Sequence, residues 1–333
     1  MPSEQYLEAA EGSRQAGASE PGIPKGNLGS PRGGARMRPP LPEGGRLIVY
    51  LAVLTASYGW LLVELGRHAL AHELHSHILL VPVISGWLLW TNRHQSPAAS
   101  SPRRSGAIFF ALAGVAALAF FLARRHDGIL LSANDALAVG TASYVCFVAA
   151  GGFALMGRKW MRAMAFPFCF LAFMIPMPDA MAAAVEKALI MASGEVVPVL
   201  FEWAGISFFR EGLVFEVPGI TLEIATECSG IRSTWVLLII GTLASHLFLA
   251  SRWRKALLLL IVVPLSIIRN AVRILVIALL CVHHGPHMIN SFIHREGGPL
   301  FFAAAAGILA MVALFLRQSE IRASRNNPQK NEQ

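Results

Sequence analysis

Charge is what this sequence has least of. Only 14% of its 333 residues are Asp, Glu, Lys or Arg, where a soluble domain carries about 25%, and that deficit argues against a water-soluble globule. Cysteine is scarce as well: the four are Cys146, Cys169, Cys228 and Cys281, with no Cys-x-x-Cys pair and no Cys/His metal spacing. A disulfide framework and a zinc site are therefore excluded from the expectations, and no metal or cofactor is expected. The short alternating segments of a membrane β-barrel are missing. So is a cleavable leader: the first apolar run comes late and is long, so it reads as a retained span.

What is abundant is apolar surface. Hydrophobic residues make up 55% of the chain and gather in repeated runs of the length needed to cross a bilayer, about 20 residues. The net charge of +8 would suggest nucleic acid in a soluble protein. Here the basic residues form short clusters between apolar runs, as cytoplasmic loop anchors do. The expected partner is the lipid bilayer, with no nucleic acid.

Residues 1–45 are rich in Gly, Pro, Ser, Arg and Glu without periodicity and read as a disordered cytoplasmic tail. Spans follow at about 46–64, 78–91, 106–123, 131–156, 163–177, 229–250, 256–281 and 299–316. A His-rich loop over 66–77, holding Glu73, His75 and His77, separates the first two. Cys146 and Cys169 lie within apolar runs and read as buried small hydrophobes. Residues 180–204 carry Glu186, Lys187, Glu195 and Glu202, too polar for a comfortable span, and read as an interfacial helix. Between 205 and 224 the apolar period changes to two, with turn residues at Glu211-Gly212 and Pro218-Gly219. That pattern predicts two or three short strands, outside the hydrocarbon because open sheet edges are not tolerated in lipid. Residues 317–333 read as a frayed, basic cytoplasmic tail. The expected fold is an all-α polytopic membrane protein: about eight transmembrane helices over 46–316, with a small extracytoplasmic strand-containing insert before the sixth.

Eight spans place both termini on one side. The clusters Arg103/Arg104, Arg158/Lys159/Arg162, Arg252/Arg254/Lys255 and Arg317/Arg322/Arg325 then share that side, which the positive-inside rule makes cytoplasmic. Arg124-Arg125 is the one dissenting pair. In this orientation Cys228, at the start of span six, Arg273, in the outer half of span seven, and His294, just before span eight, all reach the extracytoplasmic face. With span seven ending near Cys281, Arg273 sits about 12 Å below that end. It must snorkel upward, span seven must end earlier, or Cys228 must sit deeper.

A thiol becomes nucleophilic as the thiolate, which nearby cations favour. His294 suits the general base and then the general acid, and Arg273 suits an oxyanion ligand. Together they point to acyl transfer through a thioester. Alternatives stay open. Arg269, one turn before Arg273, is either the functional arginine or a partner of Asn270 and backbone carbonyls. Arg232 is a thiolate partner or a helix-end anchor. His283, His284 and His287 compete with His294, and Glu227 opposes thiolate formation unless it points away. A non-enzymatic reading is a transporter or assembly scaffold whose intramembrane Arg269 and Arg273 line an anion path.

Phe209-Arg210-Glu211-Gly212, Pro218-Gly219-Ile220-Thr221-Leu222-Glu223 and Glu227-Cys228-Ser229-Gly230-Ile231-Arg232-Ser233 resemble segments of the exosortase/archaeosortase family. Asn270-Ala271-Val272-Arg273-Ile274 is similar to the family's Asn-x-x-Arg-Ile, and Ser76-His77 before Val81-Pro82 to its early Ser-His-Gly…Pro motif, with Ile78 in place of the Gly. The resemblance covers roughly 46–316. It implies a membrane cysteine protease/transpeptidase of the cytoplasmic (inner) membrane, active on the extracytoplasmic side, with Cys228, Arg273 and His294 catalytic; from their positions, Arg232, Arg269 and Asn270 are the candidate substrate-binding or supporting residues. The implied substrates are secreted proteins with a C-terminal Pro-Glu-Pro-like motif, a transmembrane helix and a basic cluster. These are cleaved and passed to an unidentified acceptor during surface sorting linked to extracellular polysaccharide.

Overall fold

Helix ends in this chain follow local chemistry, and two of them redirect the expected spans. The computed structural model describes residues 43–93, 104–126, 131–224, 230–285 and 297–326; the expected tail 1–45 lies outside these up to residue 42. The helices are α1 (Glu43–Ser57), α2 (Gly59–Ala71), α3 (Leu80–Asn92, continuing the 3-10 turns Glu73–Leu79), α4 (Arg104–His126), α5 (Ala133–Leu155), α6 (Gly157–Ala163), α7 (Ala165–Phe170, continued by the 3-10 turn Leu171–Met174), α8 (Asp179–Trp203), α9 (Ile231–Phe248), α10 (Arg252–His284) and α11 (Gly298–Asn326). Among the described residues six segments are long and apolar enough to cross a membrane, or eight if each of two bent pairs counts as one span. The chain is an all-α multi-pass membrane protein with a small sheet, as its composition predicts.

The bent pairs differ from the sequence reading. The first span, expected over 46–64, breaks into α1 and α2 at an angle of 71°. Ser57 Oγ donates back to Val53 O (2.9 Å), a bond that bends helices, and Gly59 follows. The His-rich stretch is no loop: α2 runs to Ala71 and the 3-10 turns carry on to α3, burying His75 and His77. The fifth span, expected over 163–177, is only the ten helical residues Ala165–Met174, which then turn 90° into α8. Ten residues rise about 15 Å, half of a bilayer core. The stop is steric. Ile175 is extended (φ −75°, ψ 120°) because Pro176 follows it, and Met177-Pro178 repeats the constraint just before α8.

Small residues let helices approach closely. In the α4–α5 pair, Gly106 faces Phe153 and Gly114 faces Phe147. Cys146 is half-buried and Cys169 exposed, so the buried reading fails for Cys169, which lies on the outward face of α7. The strands β1 (Phe209–Glu211), β2 (Val214–Val217) and β3 (Ile220–Glu223) form an antiparallel sheet in sequence order. Phe215 of β2 and Leu222 of β3 are buried in a cluster with Val197 and Phe201 of α8 and Ala271, Ile274 and Ala278 of α10. The sheet is thereby pinned between the two helices that border the site.

The basic stretch from Arg317, expected to fray, continues α11 to Asn326. Glu320 accepts from the backbone N–H of Ala250 (3.0 Å) and Ser251 (2.7 Å) and pairs with Arg254 (3.2 Å). The end of α11 therefore holds the link between α9 and α10. Glu320→Ala removes these contacts and leaves Arg254, only 12% exposed at its side chain, without its carboxylate. The expected cost is about 1–3 kcal/mol, read as a lower melting temperature in detergent. An unchanged melt would show that this end anchors nothing.

Candidate active site

The site is built around one carbonyl. Gly230 precedes α9 with φ 68°, a left-handed conformation that L side chains avoid. Its oxygen accepts from Thr234 N (3.0 Å), Thr234 Oγ1 (2.9 Å), Ser233 Oγ (3.1 Å) and Arg269 Nη2 (3.2 Å). A Cβ on Gly230 would lie 2.5 Å from Arg269 Nη2 and 3.3 Å from Asn270 Oδ1. Glycine is thus required twice, by backbone conformation and by the closeness of α10.

Helix α10 supplies three of the expected residues. Arg269 is 8% exposed and Asn270 2%; Asn270 Nδ2 donates to Ser193 Oγ of α8 (3.1 Å). Arg273, one turn beyond Arg269, lines a cleft of about 750 Å³ together with Gly230, Arg232, Ser233 and Val236 of the α9 start, Glu73, Glu186, and Gly298, Pro299 and Phe302 of α11. Arg232 forms an ion pair with Glu73 across the cleft. The pair ties the start of α9 to the 3-10 turns. A second tie is His77, whose Nε2 lies 3.3 Å from Trp235 Nε1 of α9 and 3.2 Å from Phe173 O.

Arg273 lies well inside α10, and the start of α9 lies beside it. Helix α10 runs on to His284, so Arg269 lies about four turns inside its end. The start of α9 meets α10 at that level through the Gly230 O–Arg269 contact, and Arg273 lines the cleft beside it. His283 and His284 are exposed on the last turn of α10 and do not border the cleft.

Cys228, Glu227, His287 and His294 lie outside the described residues. The described chain resumes at Gly230, two residues after Cys228, and at Gly297, three after His294. Gly230 and Gly298 both line the cleft. Glu73, Glu186 and Ser193 were missed as site residues; in the sequence Glu186 stands only as one of several charges that make residues 180–204 too polar for a comfortable span. Among the described residues no group of three or more His, Cys, Asp or Glu could hold a metal ion.

Gly230→Ala is expected to destabilise the protein by at least about 1–2 kcal/mol, the left-handed penalty alone. Gly298→Ala meets nothing within 4 Å and is expected to stay within about 0.5 kcal/mol of the parent. Unfolding of both variants in mixed micelles checks the contrast; equal stabilities would remove Gly230 from its role.

Residues 60–311 match the model of a protein family described as transmembrane exosortase. No curated protein and no solved structure matches the chain. The matched region contains the α9 start, the α10 arginines and the beginning of α11, and at more than half of the sequence it settles the family: the chain belongs to the transmembrane exosortases.

Proposed function

We propose that this protein is a membrane cysteine transpeptidase that cleaves the C-terminal sorting signal of secreted proteins. What supports the reading is the cleft. Arg273 lines it, and both the segment bearing Cys228 and the segment bearing His294 adjoin residues that border it. In the proposed reaction the Cys228 thiolate attacks the scissile carbonyl. Arg273 binds the oxyanion of the tetrahedral intermediate. His294 protonates the departing amine, which leaves with the substrate's own transmembrane helix and basic cluster. The thioester is then opened by an acceptor nucleophile whose proton passes to His294, and the sulfur leaves as the Cys228 thiolate, which restores the starting state. The cleft faces the extracytoplasmic side of the cytoplasmic (inner) membrane, in line with the positive-inside count. A Pro-Glu-Pro-like recognition motif and a link to extracellular polysaccharide follow from the family resemblance.

The test is a tagged secreted protein carrying a motif–helix–basic-cluster tail, co-expressed with the enzyme. Cys228→Ala and Arg273→Ala are each expected to leave it full-length in the membrane. Normal processing by Cys228→Ala would remove the thiol from the mechanism. If Arg269 and Arg273 instead line an anion path, Cys228→Ala is silent and the arginine variants change flux. Mass spectrometry of the processed C-terminus separates the two fates of the thioester: an adduct means transfer and a free carboxylate means hydrolysis.

A further inference from the structure

Glu186 belongs to two cavities. It lines the cleft that holds Arg273, and it lines a groove of about 670 Å³ between α8 and the sheet. One wall of the groove is a single face of α8, running from Ala183 through Lys187 and Met191 to Glu195. The other wall is the sheet, at the β1–β2 turn and the end of β3. Leu213 of that turn is seated on the helix at close range: a Cβ on Gly194 would lie 2.8 Å from its Cδ2. Of the charges that line the groove, Arg210 and Glu195 neutralise each other at 2.6 Å. Lys187 is exposed, and among the described residues no ion pair engages it.

Position, length and charge say what the groove accepts. It adjoins the cleft at Glu186. Its α8 wall is about 18 Å long at the helical rise, the span of about five extended residues. It lies outside the hydrocarbon, because β1 and β3 are the outer strands of an open sheet and lipid does not tolerate such edges. In a substrate cut just before its own transmembrane helix, the chain outside the hydrocarbon at this end is the amino-terminal one. We propose that the α8–sheet groove is the docking site for the substrate segment just amino-terminal to the scissile bond. The segment binds extended, with an acidic side chain paired to Lys187. This rests on the reading of the cleft as the place of cleavage. Ile190 and Met191, beside Lys187 on the same wall, receive apolar side chains, and alternate side chains of an extended peptide turn away from them. The groove thus reads sequence before the cut, while the cleft performs the chemistry.

The test uses the full-length enzyme in membranes and the tagged reporter with its motif–helix–basic-cluster tail. The photo-crosslinking residue p-benzoylphenylalanine replaces Met191, exposed in the groove, or Phe302, in the cleft, or Trp203, exposed on α8 outside the groove. Illumination at Met191 is expected to capture the reporter within about five residues on the amino side of the cut, mapped by peptide mass spectrometry and well above the Trp203 background. Capture at Met191 confined to the reporter's helix, capture of a lipid in place of the reporter, or capture no greater than at Trp203 overturns the proposal. So does capture at Phe302 with none at Met191. No capture at Phe302 overturns the reading of the cleft itself, so the two failures are told apart. Kinetics in mixed micelles test the charge. Lys187→Glu is expected to raise the KM for a reporter with an acidic residue in that segment about threefold to tenfold, with kcat within about twofold of the parent. Replacing the reporter's acidic residue by lysine is expected to restore the KM. A KM that responds to neither change overturns the assignment of Lys187.

Discussion

A guanidinium removed from water must find acceptors nearby, and Arg269 finds the carbonyl of Gly230. That contact sets where the sixth span begins. It draws the α9 start down the flank of α10, well below the α10 end, and Gly230 tolerates the approach because it carries no Cβ. Other ties then converge on the same level. Asn270 reaches Ser193 of α8, Trp235 lies against His77 of the 3-10 turns, and Arg232 meets Glu73. The cleft is the space these contacts leave between α8, α9, α10, α11 and the 3-10 turns.

The small sheet serves the same end. Helix α8 ends at Trp203, and the chain must travel from there to the start of α9. The β1–β2–β3 meander spans this distance with two turns, at Gly212 (φ 63°) and Gly219 (φ 87°), where left-handed backbone suits glycine. Its inner face is wedged against α8 and α10 by Phe215, which is fully buried beside Phe201. Ile224 N donates to Leu213 O (3.1 Å), so the chain is still tied to the sheet one residue past β3. The described chain is thus held on either side of residues 225–229, at Ile224 and at Gly230.

Much of this was legible in the residues. The apolar runs gave six of the spans, because length and hydropathy are local properties, and the turn glycines gave the strands. The break after Met174 was legible in principle, since Ile175-Pro176-Met177-Pro178 places two residues under the same pre-proline restriction; the apolar run masked it. The bend at Tyr58 was not. Ser57 and Gly59 permit it, but Tyr58 holds it by bonding Ser143 of α5 (2.8 Å) and packing on Tyr144. The His-rich stretch misled for a related reason. Histidines beside Glu and Ser look like a solvated loop, yet His77 is buried against Phe173 and Trp235 of α9, and His75 is buried beside the rings of His68 and His72.

By itself the sequence determined the class of solvent this chain is built for, the side chains available for chemistry, and the turns of the sheet, all of which depend on residues close together along the chain. The tertiary structure decided where each of the arginines sits. Arg269 and Gly230 are 39 residues apart, His77 and Trp235 158 apart, and no periodicity relates such positions. Arg269, Arg273 and Arg232 carry the same charge, and only packing distinguishes them: Arg269 is buried against Gly230, whereas Arg273 and Arg232 line the cleft and Arg232 pairs with Glu73.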